Sequence, residues 1–183
     1  MNIHKTNHKK RIIIIGKGSS GKNYLADILS KEFGISLSTI YTTRNLRKGE
    51  VNGKDYHFVD TKFFNNLDKM GEFQCTIHRK WFYGLHKTDW LTYKLFILTP
   101  VYLEQIPKKE LDESIVIYVD TDEETIIKRL GRRRFIGCLD DQMRRFESDK
   151  KDFNNFQNYD IRLNTNYNTN ELINQIKTFN INF

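Results

Sequence analysis

The residues best equipped for chemistry are Gly16 to Asn23, "GKGSSGKN", set between "RIIIIG" and "YLADILSKEF". The spacing G-x-x-x-x-G-K, after a strand-like run and before a helix-like one, suits a loop that wraps a phosphate. Glycines let the backbone N–H groups and the helix N-terminus face the anion, and the lysine reaches the β- and γ-phosphates of a nucleotide. Gly16, Ser19, Ser20, Gly21, Lys22, Asn23 and Tyr24 are therefore candidate ATP-binding residues, with Lys22 a candidate catalytic cation. The Ser/Thr that usually closes the motif is Asn23 here. An amide oxygen is also a neutral hard ligand, so Asn23 is a candidate for Mg²⁺, directly or through water.

The second informative run is "YTTRNLRKGEVNGKDYHFVD", Tyr41 to Asp60. Two arginines three apart with a tyrosine hydroxyl nearby can form a charge-assisted clamp for a monophosphate dianion. The run resembles the substrate-binding loop of guanylate kinases, T-T-R-x-x-R-x-G-E-x-x-G-x-D-Y-x-F-V. Thr42, Thr43, Arg44, Arg47, Gly49, Glu50, Gly53, Asp55, Tyr56, Phe58 and Val59 fill every fixed place. "GEFQCTIHRKWFYG", "RLGRRR…MRRF" and "YDIRLN" resemble later segments of the same family, so the likeness runs from about Arg11 to the end. It implies that Arg44, Arg47, Tyr56 and Tyr83 hold the acceptor phosphate. It also implies a lid bearing Arg129, Arg132, Arg144 and Arg145, and places Asn164 near the adenine of ATP. Phosphoryl transfer needs in-line positioning and neutralised charge, so arginines with Mg²⁺ suffice without a covalent nucleophile.

The pattern breaks where such enzymes read guanine. Cys75 stands where G-E-F-x-E has its second carboxylate, and Ile40 stands four residues before the first clamp arginine, where the family has serine. Leu85 replaces the hydroxyl after Y-G, and Thr99 to Glu104, "TPVYLE", replaces D-I-D-x-Q-G. A polar pocket rejects a wrong base because each buried unpaired group costs about 1–3 kcal/mol. Walls of Ile40, Cys75 and Leu85 cannot impose that penalty. Altered or relaxed acceptor specificity follows: a pyrimidine, a base-free sugar phosphate, or GMP if Gln74, Thr76 and His78 supply hydrogen bonds.

The elements that must position these groups alternate. Arg11–Ile15, "KLFIL" and "SIVIYV" read as buried strands, each followed by loop or helix signals. "ISLSTIYTT" reads as a second strand, "YHFV", "FQCTIH" and "KWFYG" as short strands, and "YDIRLN" as a late one. Helices are expected at "NYLADILSKEF" up to Gly34, at "TKFFNNLDKM", at "DEETIIKRL" with a capping box of Thr121 and Glu124, at "DDQMRRFESDKKDF", and at "TNELINQIKTF" with Thr169 as N-cap. This is an α/β domain with a mostly parallel sheet. The resemblance makes it a three-layer P-loop kinase fold with a small inserted monophosphate-binding β lobe and a helical lid. One domain covers 1–183, with a core of about 11–43 and 92–183, a lobe of about 44–91 and a lid of about 131–145.

Composition sets the remaining bounds. At 183 residues and +7 net charge, with no long apolar run, the chain reads as a cytoplasmic protein with an anionic partner and no membrane span. Cys75 and Cys138 lack metal or redox spacing and read as buried thiols, and His4, His8, His57, His78 and His86 show no metal spacing. Trp81, Trp90, Phe63, Phe64 and Leu67 read as packing residues. The Asn-rich stretch from Asn154 carries recurrent Tyr, Ile and Leu and reads as folded. ATP and a nucleoside monophosphate are the leading partners. Phosphorylation of a modified base or phosphate within nucleic acid, or of a sugar phosphate, ranks below. So does a phosphopeptide-binding module without catalysis.

Overall fold

The computed structural model describes residues 9–132, 147–179, 181 and 183. In chain order its elements are β1 (Arg11–Gly16), α1 (Lys22–Phe33), β2 (Tyr41–Thr42), β3 (His57–Phe58), α2 (Thr61–Lys69), β4 (Phe73–His78), β5 (Phe82–His86), α3 (Lys87–Thr92), β6 (Leu95–Leu98), α4 (Pro100–Leu103), α5 (Lys108–Asp112), β7 (Ser114–Val119), α6 (Glu123–Arg132), helical residues 147–152 (α7), β8 (Ile161–Leu163) and α8 (Thr169–Thr178).

Every residue of β1 is buried, as a strand covered on both faces requires. It lies between β6 and β7, with β8 beyond β7, and all three pairings are parallel. The pleat separates its isoleucines. Ile12 and Ile14 pack with Leu25 and Leu29 of α1 and Leu172 and Ile176 of α8. Ile13 and Ile15 pack on the other face with Trp90, Tyr102 and Phe153. Helices on both faces of a parallel sheet make three layers. Each fully buried isoleucine contributes about 1.5–3 kcal/mol of apolar transfer.

A second sheet, ordered β3-β2-β5-β4, stands apart from the first. Its β4 alternates, with Phe73, Cys75 and Ile77 buried and the residues between them more exposed. "ISLSTIYTT" is not one strand. Leu37 bridges to Leu95 beside the central sheet, and only Tyr41–Thr42 forms β2, in the second sheet. The segment thus crosses between sheets, which a local pattern cannot reveal. "KWFYG" yields a strand only from Phe82, running on to His86. Two caps also differ from the sequence expectation. Asp122, not Thr121, accepts from the backbone of α6, through Thr125 N–H at 2.7 Å. Asn168, not Thr169, caps α8 by accepting from Asn170 and Glu171 N–H. In both, a side-chain oxygen one position away is better placed for the free N–H groups. Phe64 is fully buried while Phe63 is 48% exposed, so only one of that pair is core. The Asn-rich stretch forms β8 and α8. Among the described residues no helix is long and apolar enough to cross a membrane.

Gly84 in β5 explains the glycine after Tyr83. A Cβ there would lie 2.7 Å from the Phe73 ring, which stacks on Phe64 with centroids 4.6 Å apart. Gly84→Ala is expected to destabilise the protein by about 1–3 kcal/mol through overpacking, read as a lower urea midpoint with unchanged slope.

Candidate active site

Because the central strands run parallel, their C-terminal ends share one edge, where ligands of open α/β sheets sit. The Gly16–Lys22 loop leaves β1 at that edge. Ser19 has φ 61° and Gly21 φ 106°, and α1 begins with no side-chain cap and no acid in its first turn. Its first N–H groups and the positive end of its dipole are left for an anion. Lys22 Nζ donates to Gly16 O at 2.7 Å and Lys17 O at 2.6 Å, which holds the ammonium over the loop. Ser20 Oγ is buried without a hydrogen-bond partner. A Cβ on Gly16 would lie 2.6 Å from Ser20 Oγ and 2.7 Å from Val119 O, so the loop can close on β7 only with glycine there. Thr121 Oγ1 donates to Ser20 O at 2.8 Å, so the residue expected to cap α6 instead pins the loop.

The second cluster is built around a buried guanidinium. Arg44 is 3% exposed and forks onto Glu50, Nη1 to Oε2 at 2.9 Å and Nη2 to Oε1 at 2.7 Å. Arg47 N–H also donates to Glu50 Oε2, at 2.8 Å. The Arg44 guanidinium lies 5.2 Å from both the Tyr56 and Phe58 ring centres, within cation–π range. Arg44 Nε is buried without a partner, a donor left for an anion. Gly49 and Gly53, with φ 88° and 80°, supply the turns. Burial opposes the Glu50 charge, but hydrogen bonds from Arg44 and Arg47 outweigh it and hold its pKa below the ordinary value. Glu50 is the residue that orients the clamp. The motif contained it, but nothing in the spacing showed that it takes both ends of the Arg44 fork.

Asn23, Ile40, Arg44, Arg47 and Tyr56 line one cavity of about 760 Å³, joined by Asp27, Ser38 and Tyr93. Tyr83 packs edge-on to Tyr56 at 6.1 Å. Cys75 and Leu85 are paired across β4 and β5 and pack in the apolar core; neither lines the cavity. Burial pushes the Cys75 thiol up to about 12, so it stays protonated. Tyr24 is 66% exposed on α1, and Asn164 lies exposed just past β8, its Oδ1 accepting from Asn166 N–H. Arg129 Nη1 donates to Ser19 O at 3.1 Å and Ser20 O at 2.8 Å, which brings α6 onto the loop. Arg144, Arg145, the Arg132 side chain, Cys138, His4 and His8 lie outside the described residues. Among the described residues no group of three or more His, Cys, Asp and Glu could hold a metal.

Two contacts had no sequence signal. Asp149 of α7 accepts from Gly18 N–H at 2.5 Å, placing a carboxylate on the loop's own amide. Arg79, in the turn between β4 and β5, forks onto Asp152 at 2.8 and 3.0 Å and donates to Ser148. Helix α7 thereby ties the loop to the second sheet.

A family model for guanylate kinase matches residues 8–84. A guanylate kinase of Blochmanniella floridana is 32% identical over 143 residues, covering 72% of this chain and 66% of its own length. The guanylate kinase of Dechloromonas aromatica is 36% identical over 95 residues, covering 50% of this chain and 46% of its own. The chain belongs to the guanylate kinase family. It spans 66% or less of these relatives' lengths. The crystal structure of guanylate kinase from Anaplasma phagocytophilum superposes with a TM-score of 0.65 at 21% identity, covering 94% of this chain and 84% of that one. That likeness shows the P-loop kinase fold, in agreement with the parallel sheet β6-β1-β7-β8. The family's T-T-R to F-V run is the segment that folds here into the fork on Glu50 and the cavity wall.

Glu50 has a depressed folded pKa, so its contribution is complete above its unfolded value near 4.5 and is lost as pH falls through the folded value. Glu50→Gln is expected to lower Tm at neutral pH and to flatten the further loss as pH falls below about 4.5, measured by calorimetry across that range.

Proposed function

We propose that the chain is an ATP-dependent nucleoside monophosphate kinase that moves the γ-phosphoryl group of ATP to a (d)NMP, with altered or relaxed base specificity. The observation that carries this is the shared cavity. Asn23, at the end of the phosphate loop, and Arg44, Arg47 and Tyr56, the candidate monophosphate clamp, open onto the same 760 Å³ space. A donor site and an acceptor site facing one cavity satisfy the main demand of phosphoryl transfer, in-line positioning of two anions amid fixed positive charge.

Each group has a role consistent with its surroundings. The loop N–H groups, the α1 N-terminus and Lys22 receive the donor phosphates. Arg44, held in one orientation by Glu50, and Arg47 with Tyr56 and Tyr83 bind the acceptor phosphate. Arg129, already against the loop, adds positive charge beside the transferring group, and the family resemblance assigns Arg132, Arg144 and Arg145 the same role. Tyr24 and Asn164 flank the adenine. The donor set also suits Mg²⁺, because Asn23 offers an exposed amide oxygen on the cavity wall. When bound, that ion neutralises charge on the phosphates. The apolar residues Ile40, Cys75 and Leu85 at the guanine-reading positions support relaxed base specificity, since none can accept a base N–H as a carboxylate does.

Three measurements test the reading. With ATP, Mg²⁺ and a panel of (d)NMPs, the chain is expected to phosphorylate at least one pyrimidine nucleotide as well as it does GMP or dGMP. Strong selectivity for GMP and dGMP would refute relaxed specificity. Lys22→Met is expected to cut turnover by at least ~100-fold with an unchanged melting curve. Asp149→Asn removes a carboxylate that competes with phosphate for the Gly18 amide. It should lower the KM for ATP roughly 2- to 5-fold, and an unchanged KM would show that the loop takes no donor phosphate there.

A further inference from the structure

Helix α7 ties the phosphate loop to the second sheet through two carboxylates. Asp149 and Asp152 stand three residues apart, so they share one face of the helix. Asp149 Oδ2 accepts from Gly18 N–H at 2.5 Å. It lies so close to the loop backbone that a Cβ on Gly18 would stand 3.1 Å from it. Asp152 takes both ends of the Arg79 guanidinium, at 2.8 and 3.0 Å, and Arg79 Nη1 also donates to Ser148 Oγ at 2.5 Å. Arg79 therefore grips the helical turn on either side of Asp149, at Ser148 and at Asp152. Directly after that turn, Phe153 anchors the chain in the second apolar cluster, stacked on Tyr118 with centroids 5.5 Å apart. Arg79 itself sits in the turn that leads into β5, the strand that carries Tyr83. A continuous series of bonds thus runs from the acceptor lobe through Arg79 and α7 to an amide of the donor loop.

A backbone N–H in a loop of this kind is a donor for a phosphate oxygen. A carboxylate seated on it is an anion already in place, and it repels a second one. We propose that α7 is a latch on the donor site: Asp149 stands in for a phosphate oxygen at Gly18 N–H, and Arg79 is the positioning residue that holds it there from the lobe. The proposal rests on the reading of Gly16–Asn23 as an ATP-binding loop. ATP must displace the carboxylate to use that amide, so its apparent affinity is lowered by the fraction of molecules in which the latch is closed. Among the described residues the Arg79 side chain bonds to α7 and not to the loop, so its effect on ATP passes through the helix. The sign of that effect separates this role from a scaffolding one. Removing a residue that supports a binding loop weakens the ligand, whereas removing one that holds a competing anion in place strengthens it.

The test is calorimetric titration of ATP with Mg²⁺, without acceptor, into the full chain and into Arg79→Ala, Asp152→Asn, Asp149→Asn and the Arg79→Ala, Asp149→Asn double variant. A melting curve of each confirms folding. Arg79→Ala and Asp152→Asn break the fork from opposite ends, and each is expected to tighten ATP binding about 2- to 5-fold. Asp149→Asn should tighten it by a similar factor. The double variant should gain nothing beyond Asp149→Asn, because both changes open one latch. The proposal is overturned if breaking the fork leaves ATP affinity unchanged or weakens it, or if the two single gains multiply in the double variant. Should Arg79→Ala fail to fold, Asp152→Asn alone and combined with Asp149→Asn gives the same comparison. The kinase reading fails separately. The expected pattern of ATP affinities, with no phosphorylated product from any (d)NMP, would leave a latched ATP site in a protein that is not a monophosphate kinase. ATP binding to neither the wild type nor Asp149→Asn would overturn the latch together with the reading of the loop.

Discussion

Burial of β1 on both faces is the constraint from which the rest of the structure follows. A strand that exposes neither face needs parallel neighbours and helices above and below, and Arg11–Gly16 has them. Parallel neighbours put every C-terminal end on one edge. The phosphate loop after β1, the Thr99–Glu104 segment after β6, Thr121 after β7 and Asn164 after β8 are therefore neighbours in space despite their separation in sequence. The bond from Thr121 Oγ1 to Ser20 O is a direct product of that edge. The two apolar clusters, split by the pleat of a single strand, fix where α1 starts and so where its N-terminus points.

Charge is organised around that edge by pairing. A guanidinium as buried as Arg44 is stable only with a carboxylate, and Glu50 supplies two oxygens in fork geometry. The pairing leaves Nε as the uncommitted donor. Loop carbonyls orient Lys22, and Asp149 occupies one loop amide. The candidate anion sites are thus balanced from within by the chain's own groups.

The acceptor side keeps the charge and changes the polarity behind it. Ile40 lines the cavity while Cys75 and Leu85 pack in the second apolar cluster. Apolar residues at those places extend the second hydrophobic cluster into the lobe, so the lobe gains packing where a base-reading pocket would need polar groups. The substitutions that favour packing in the lobe are the same ones on which the proposed change in recognition rests.

Sequence determined what rests on local rules. The loop Gly16–Asn23 was legible because its glycines, lysine and flanking elements lie within a few residues of one another. The T-T-R to F-V run was legible as a contiguous motif, and β1, β7 and α1 as apolar periodicity. Tertiary structure decided what depends on residues far apart. The Asp149 contact with Gly18 spans 131 positions and the Arg79 fork on Asp152 spans 73. Leu37 joined one sheet and Tyr41 the other although one run contains both. Thr121 was a good cap by pattern, yet its hydroxyl donates to Ser20 O and Asp122 takes the helix N–H. The physical reason is common to all of these: hydrogen bonding and burial act over a few ångströms in space, and the fold alone sets which distant residues fall within that range.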